Sequence, residues 1–330
     1  MRMTVLGGGS WGTALASHMA GQGYEVAMLV REEQVAEDIN ANRRNSMYLP
    51  DAALHPDIRA TTDPAKGLAG ADVCLLAVPC QYMRDTLARL ASHMPSNSIP
   101  VCASKGIELA TLQRMSQVVE QVLPDHAGRY AVLSGPSFAR EVVQGKPTAV
   151  VLACRDAALG EKLRGFFSNE RFRVYSSTDV PGVETGGAVK NVIAIAAGLC
   201  DGLRLGHNAR AALITRGLAE MSRLGTALGA RAATFMGLSG MGDLVLTCAG
   251  DLSRNRQVGL RLAAGESMAR ITASMIQVAE GVKTTEAVCL MSQDLNIELP
   301  IADAMRRIIV DGESPPELVY ELMTRGLREE

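Results

Sequence analysis

Gly7-Gly8-Gly9-Ser10-Trp11-Gly12 fits the pattern G-x-G-x-x-G. Glycines at this spacing permit a tight turn, close approach of a pyrophosphate, and close packing of a helix on a strand. A helix starting there offers N–H groups and a partial positive charge to an anion. The bare pattern is weak in a chain with 32 glycines. Its context is strong, because a strand pattern (residues 3–6) precedes it, a helical pattern (13–20) follows, and a second strand (25–30) completes one βαβ unit. The reading is a dinucleotide cradle; the plainer alternative is a strand–turn–helix with spare glycines. The second strand ends Leu29-Val30-Arg31-Glu32-Glu33. An arginine at that point accommodates a 2′-phosphate, and an acid binds the ribose 2′-hydroxyl. Arg31 tips the reading toward NADP(H), with NAD(H) still open, unless Arg31 is only a solvated surface residue.

A second set of residues suits proton transfer and anion binding. Lys190 is the only charge in residues 188–199. A desolvated lysine, or one beside another cation, has a pKa low enough to act as general acid to a ketone oxygen. The bland alternative is a lysine snorkelling from a helix end, since Gly186 and Gly187 lie just before it. Lys105 lies beyond the strand pattern of residues 99–103, at the edge where doubly wound sheets bind ligands. There it would polarise a carbonyl and depress the pKa of Lys190, or else be a loop lysine. Ser253-Arg254-Asn255 opens a helical pattern; Ser253 can cap it, and backbone N–H groups with Arg254 can hold phosphate oxygens. An ordinary cap with a solvated arginine is the alternative. Asp243 closes the run Gly237-Leu238-Ser239-Gly240-Met241-Gly242. It can accept from a substrate hydroxyl, orient Lys190, or cap a helix, and Thr247 adds a hydroxyl nearby. His207 is read as a surface or core residue.

These groups need elements to position them. Short apolar strand patterns alternate with helical ones up to about residue 180, which predicts an α/β domain with a mainly parallel sheet. From residue 183 onward only helical periodicity is found, predicting an all-α second domain. The boundary is placed at residues 178–182, where Pro181 and Gly182 break the pattern, giving domains 1–180 and 181–330. The 330 residues suit two domains. A net charge of −2 argues against a nucleic-acid partner, and 4% aromatics removes most stacking surface. Seven cysteines without a C-x-x-C read as core residues, with no disulfide framework and no metal site. No apolar run approaching the ~20 residues of a membrane span is expected. The start of the chain lacks a signal-peptide pattern, so a cytoplasmic location is the default. The last six residues, 325–330, read as a solvated helix end.

Several segments, taken in order, resemble bacterial NAD(P)-dependent glycerol-3-phosphate dehydrogenase: GGGSWGTA (7–14), NRRNSMYLP (42–50), ASKGIE (103–108), SGPSFA (134–139), AVKN (188–191), GLSGMGDL (237–244) and SRN (253–255). The resemblance implies a Rossmann-type N-terminal domain, an all-helical C-terminal domain and commonly a homodimer. It implies reversible reduction of dihydroxyacetone phosphate to sn-glycerol 3-phosphate, feeding phospholipid synthesis. It assigns Lys190 as the catalytic lysine and gives substrate contacts to Lys105, Gly135, Ser137, Asn191, Asp243, Ser253, Arg254 and Asn255, with Thr247 a plausible addition. Its cofactor contacts fall on Gly7, Gly9, Ser10, Trp11, Gly12, Tyr48, Lys105, Ala139, Arg254, Val278 and Glu280. Relatives vary after the second strand, so Arg31 is not carried over. Two other readings stay open: a two-domain dehydrogenase of β-hydroxy acids, which would not depend on a substrate phosphate, and a non-catalytic dinucleotide-sensing module, which would bind nicotinamide without turnover.

Overall fold

In a computed structural model, residues 1–275 and 277–324 are described; the tail read as a helix end lies outside them. The chain divides into two compact units, Met1–Lys105 with Gln113–Glu184, and Gly106–Leu112 with Thr185–Glu330.

The first unit is built on an eight-stranded sheet. Its strands are β1 (Arg2–Leu6), β2 (Glu25–Leu29), β3 (Arg59–Thr61), β4 (Val73–Leu76), β5 (Ile99–Cys102), β6 (Ala131–Ser134), β7 (Thr148–Cys154) and β8 (Phe172–Ser177), in the order β8-β7-β6-β5-β4-β1-β2-β3. Every pairing is parallel except β6 with β7. Side chains alternate across the sheet, so Val5, Leu75, Val101 and Leu133 bury one face while Leu6, Leu76, Cys102 and Val132 bury the other. Burial on both faces is why these strands read as unbroken apolar runs. Strand β3, three residues long and of mixed character, carries no strand pattern and was not expected. In the β1–β2 pairing Leu6 stands opposite Leu29, so the glycine turn and the Arg31–Glu32 segment leave the sheet side by side. Leu76 stands opposite Cys102, which brings the segment leading to Lys105 to the same edge.

The second unit is helical around a long central helix. The helices that carry its polar residues are drawn from the set α1 (Ser10–Gly21), α2 (Glu33–Asn42), α3 (Ala157–Phe167), α4 (Val180–Gly202), α5 (His207–Ala227), α6 (Asp243–Ala249), α7 (Arg254–Ala263) and α8 (Glu280–Asp294), of which α1, α2 and α3 belong to the first unit. Every residue of helix α4 from Gly182 to Cys200 is buried. A Cβ on Gly259 of α7 would lie 2.0 Å from the Ile195 carbonyl oxygen, so the two helices cross with their backbones in contact.

One expectation is corrected. Pro181 and Gly182 do not interrupt the chain: they lie in the first turn of α4, where proline lacks only an N–H that no helical carbonyl would have accepted. The two compact units divide between Glu184 and Thr185, four residues beyond the expected 180/181 boundary, with Gly106–Leu112 grouped in the second unit. Two stretches are long and apolar enough to cross a membrane by length and composition, Val180–Gly202 (mean hydropathy 1.2) and Ala232–Ala249 (1.3). The first is wholly buried inside the protein, as a core helix is.

Candidate active site

In the first unit the glycine turn follows β1. Gly7 has φ 117, a conformation L side chains rarely adopt, and a Cβ there would sit 2.7 Å from the Ala77 carbonyl oxygen. A Cβ on Gly12 would sit 2.4 Å from the Gly7 carbonyl oxygen. Around Gly9 no protein atom lies within 4 Å of that position. Two of the three glycines are therefore demanded by the protein's own packing, and the middle one leaves space that a side chain would fill. Helix α1 starts at Ser10 with no side-chain cap. The Trp11 indole N–H is buried without a hydrogen-bond partner. An open cradle, an uncapped helix N-terminus and an orphaned donor together fit a dinucleotide's pyrophosphate.

The turn is braced by a residue that sequence reasoning passed over. Asn45 is fully buried; its Nδ2 donates to the Gly8 carbonyl (2.7 Å) and to Thr13 Oγ1 (2.8 Å). Its Oδ1 accepts from the Tyr48 N–H (3.2 Å). The only signal was its place within NRRNSMYLP, where an asparagine among polar neighbours looks like loop. At the end of β2, Glu32 Oε1 accepts from Arg31 Nε (2.9 Å) and NH2 (2.5 Å) and from the Tyr48 hydroxyl (3.2 Å). Burial, followed by the Glu32 charge, pushes the Tyr48 phenol above its usual pKa.

Lys105 is half-buried, and its ammonium donates to the Gly135 carbonyl (2.9 Å), which also accepts from Ser137 Oγ (2.9 Å). Gly135 has φ 136, and a Cβ would lie 2.9 Å from Val150 Cα. Ala139 opens a short helix, Ala139–Val143, just beyond. The structure thus brings Lys105, Gly135 and Ser137 together.

In the second unit Lys190 lies in the middle of α4, not at a helix end, and is 6% exposed. Its ammonium donates to Asp243 Oδ1 (2.6 Å) and Thr247 Oγ1 (2.9 Å). The Thr247 hydroxyl in turn donates to the Asp243 carbonyl (2.6 Å). Asp243 heads α6 directly after a π-helical turn, Leu238–Gly242. Such turns break the regular helical hydrogen-bond ladder and recur at functional sites. At the next position of α4, Asn191 Oδ1 accepts from Asn255 Nδ2 (2.9 Å), and Asn255 Oδ1 accepts from the Gly281 N–H (2.9 Å) at the start of α8. Ser253 caps α7 through the Arg256 N–H (3.2 Å). Arg254 NH1 donates to the Val278 carbonyl (2.8 Å). Part of the Arg254 surface reaches solvent, but crowding by protein atoms pushes its guanidinium below the usual arginine pKa, opposed by Glu280. Adjacent residues of α4 thus carry two hydrogen-bonded sets: Lys190 with Asp243 and Thr247, and Asn191 with Asn255, the latter reaching through Gly281 to the segment bearing Val278 and Glu280. His207 is exposed at the start of α5, with Nδ1 3.2 Å from Arg210 NH2.

Two family models match the chain: NAD-dependent glycerol-3-phosphate dehydrogenase N-terminus over residues 2–160 and C-terminus over residues 179–320. The glycerol-3-phosphate dehydrogenase (NAD(P)+) of Oleidesulfovibrio alaskensis is 60% identical over 330 residues, 100% of both chains. Among solved structures, the glycerol-3-phosphate dehydrogenase of Coxiella burnetii is 37% identical with a TM-score of 0.93, covering 98% of this chain and 99% of that one. The D-mandelate dehydrogenase ternary structure is 13% identical with a TM-score of 0.63, covering 97% and 100%, a likeness of fold alone.

Proposed function

Because the chain belongs to the NAD-dependent glycerol-3-phosphate dehydrogenase family, we propose that its buried Lys190 is the general acid and base for the reversible reduction of dihydroxyacetone phosphate to sn-glycerol 3-phosphate. The observation that carries the assignment is an ammonium in the middle of an apolar helix, 2.6 Å from Asp243 and 2.9 Å from Thr247. A buried lysine needs such partners, since an unpaired charge there would be strongly unfavourable.

In the reducing direction a bound nicotinamide supplies the hydride that reaches the substrate C2. Lys190 gives its proton to the ketone oxygen as charge develops there, and takes it back in the oxidising direction. Asp243 and Thr247 hold Nζ in one position, which keeps the donor aligned before the substrate arrives. Lys105, in the first unit, is read as a further contact to substrate and nicotinamide. Arg254, with Ser253, Asn255 and Asn191, anchors the substrate phosphate and hydroxyls, and Gly135 and Ser137 complete the substrate contacts. The dinucleotide would be held by Gly7, Gly9, Ser10, Trp11, Gly12, Arg31, Tyr48, Lys105, Ala139, Arg254, Val278 and Glu280. NADP(H) is the preferred form, through Arg31 on the 2′-phosphate, and NAD(H) is also accepted. Residues 1–180 are read as the dinucleotide domain and residues 181–330 as the substrate domain. Family membership further supports a cytoplasmic homodimer that supplies phospholipid synthesis.

The test is the initial rate of NADPH and NADH oxidation on adding dihydroxyacetone phosphate, with unphosphorylated dihydroxyacetone as the control. Turnover that needs the phosphate is the expected result. Equal rates with both ketones would remove the phosphate anchor, and no turnover would remove the activity.

A further inference from the structure

The choice between two dinucleotides is commonly attributed to whichever single residue ends the second strand of the fold. Here an arginine and an acid stand together, and the structure shows what each does to the other. Arg31 is largely solvent-exposed, at 83% of its side chain, while Glu32 is mostly covered, at 23%. Glu32 is the N-cap residue of α2, yet its side chain makes no capping hydrogen bond. Its Oε1 instead accepts from two nitrogens of Arg31 and from the Tyr48 hydroxyl. Among the described residues, no hydrogen bond goes to Oε2. Glu33 is exposed at the first position of α2 and pairs with neither.

We propose that Glu32 is the residue that sets the balance between NADPH and NADH, by competing with a 2′-phosphate for Arg31 and Tyr48. The inference rests on the dinucleotide reading of the glycine turn given above. With NADPH, Arg31 must leave Glu32 to reach the phosphate, and the carboxylate then stands near a second negative charge. With NADH, Arg31 stays where it is, and the carboxylate accepts from the unphosphorylated ribose. Arginine and glutamate thus oppose each other, so neither dinucleotide is strongly excluded. Tyr48 takes part as a donor that fixes Glu32, and Asn45 holds the Tyr48 backbone through its N–H.

Binding can be read without turnover, because the chain has one tryptophan and it lies in the glycine turn. Quenching of Trp11 fluorescence by NADPH and by NADH at fixed ionic strength gives both dissociation constants. In E32Q, which keeps the shape and a hydrogen-bond acceptor but removes the charge, the NADPH-to-NADH affinity ratio is expected to rise by about tenfold. Adding R31A to E32Q is expected to abolish that gain. A ratio within about twofold of the parent protein in E32Q would overturn the proposal, on the scale of a weak exposed ion pair. A gain that persists without Arg31 would also overturn it, because simple repulsion would then suffice. If the parent protein binds neither dinucleotide, the cradle reading itself fails, a result distinct from an unchanged ratio.

Discussion

At the glycine turn the working groups belong to the backbone and lie within six consecutive residues, whereas around Lys190 they are side chains drawn from positions 53 and 57 residues away. The turn needs missing side chains: Gly7 and Gly12 admit no Cβ, and Gly9 keeps a space open. The lysine centre needs side chains present and held, with Asp243 1% and Thr247 4% exposed. A contact assembled from local backbone tolerates little change of conformation but asks little of distant residues. A contact assembled from buried side chains depends on helix packing throughout the second unit, including the close crossing at Gly259.

The sharpest way to separate the two is to remove the lysine. Lys190→Met is expected to lower kcat by about 10^3-fold, within the range of general acid catalysis, while dinucleotide affinity read at Trp11 stays within about twofold. Activity within tenfold of the parent enzyme would take Lys190 out of the reaction.

The glycines make the complementary test. Gly12→Ala forces a methyl to 2.4 Å from the Gly7 carbonyl oxygen and is expected to destabilise the protein by about 2 kcal/mol, measured by denaturant unfolding. Gly9→Ala meets no protein atom, so stability is expected to hold while dinucleotide binding weakens by about tenfold. If both variants lost stability equally, Gly9 would be a packing glycine and the cradle reading would lose its structural support.

Asn45→Ala is expected to have a smaller effect, about 1–2 kcal/mol of stability from the donors and acceptors left unpaired. Dinucleotide affinity should fall with it, because the Gly8 carbonyl and Tyr48 lose their brace. Unchanged affinity alongside lost stability would make Asn45 a packing residue only.

The same contrast explains what could be read from residues alone. The glycine turn was visible because its function is contiguous, and the strands because burial on both faces leaves apolar runs such as Val73–Leu76. Lys190 stood out as a lone charge, but which partner would hold it depended on helix packing that no local pattern encodes. Asp243 was equally compatible with a cap, a substrate contact or a lysine partner. Asn45 escaped because an amide's role lies entirely in what the folded chain brings to it. Pro181 misled because proline ends a helix in its interior yet suits its first turn, and position within a helix is the least local part of the pattern.

The cysteines provide the mildest probe of the two units, because they should do nothing in the native state. Burial pushes the thiols of Cys74 and Cys102 in the first unit, and of Cys248 and Cys289 in the second, up to about 12 from an ordinary 9.0. At pH 8 each would be thiolate in about one part in 10^4, so alkylation is expected only after local or global opening. The sign for stability follows. A thiol with a raised native pKa binds its proton more tightly when folded, so its contribution is complete below about pH 9 and is lost as pH rises toward 12. Alkylation with mass-spectrometric readout, at pH 8 in increasing urea, would then rank the opening of the two units. The sheet unit, held by parallel strands covered on both faces, is expected to release Cys74 and Cys102 after the helical unit releases Cys248 and Cys289. Simultaneous release of all four would mean that the two units unfold as one, and that the glycine turn and the lysine centre share a single stability despite being built so differently.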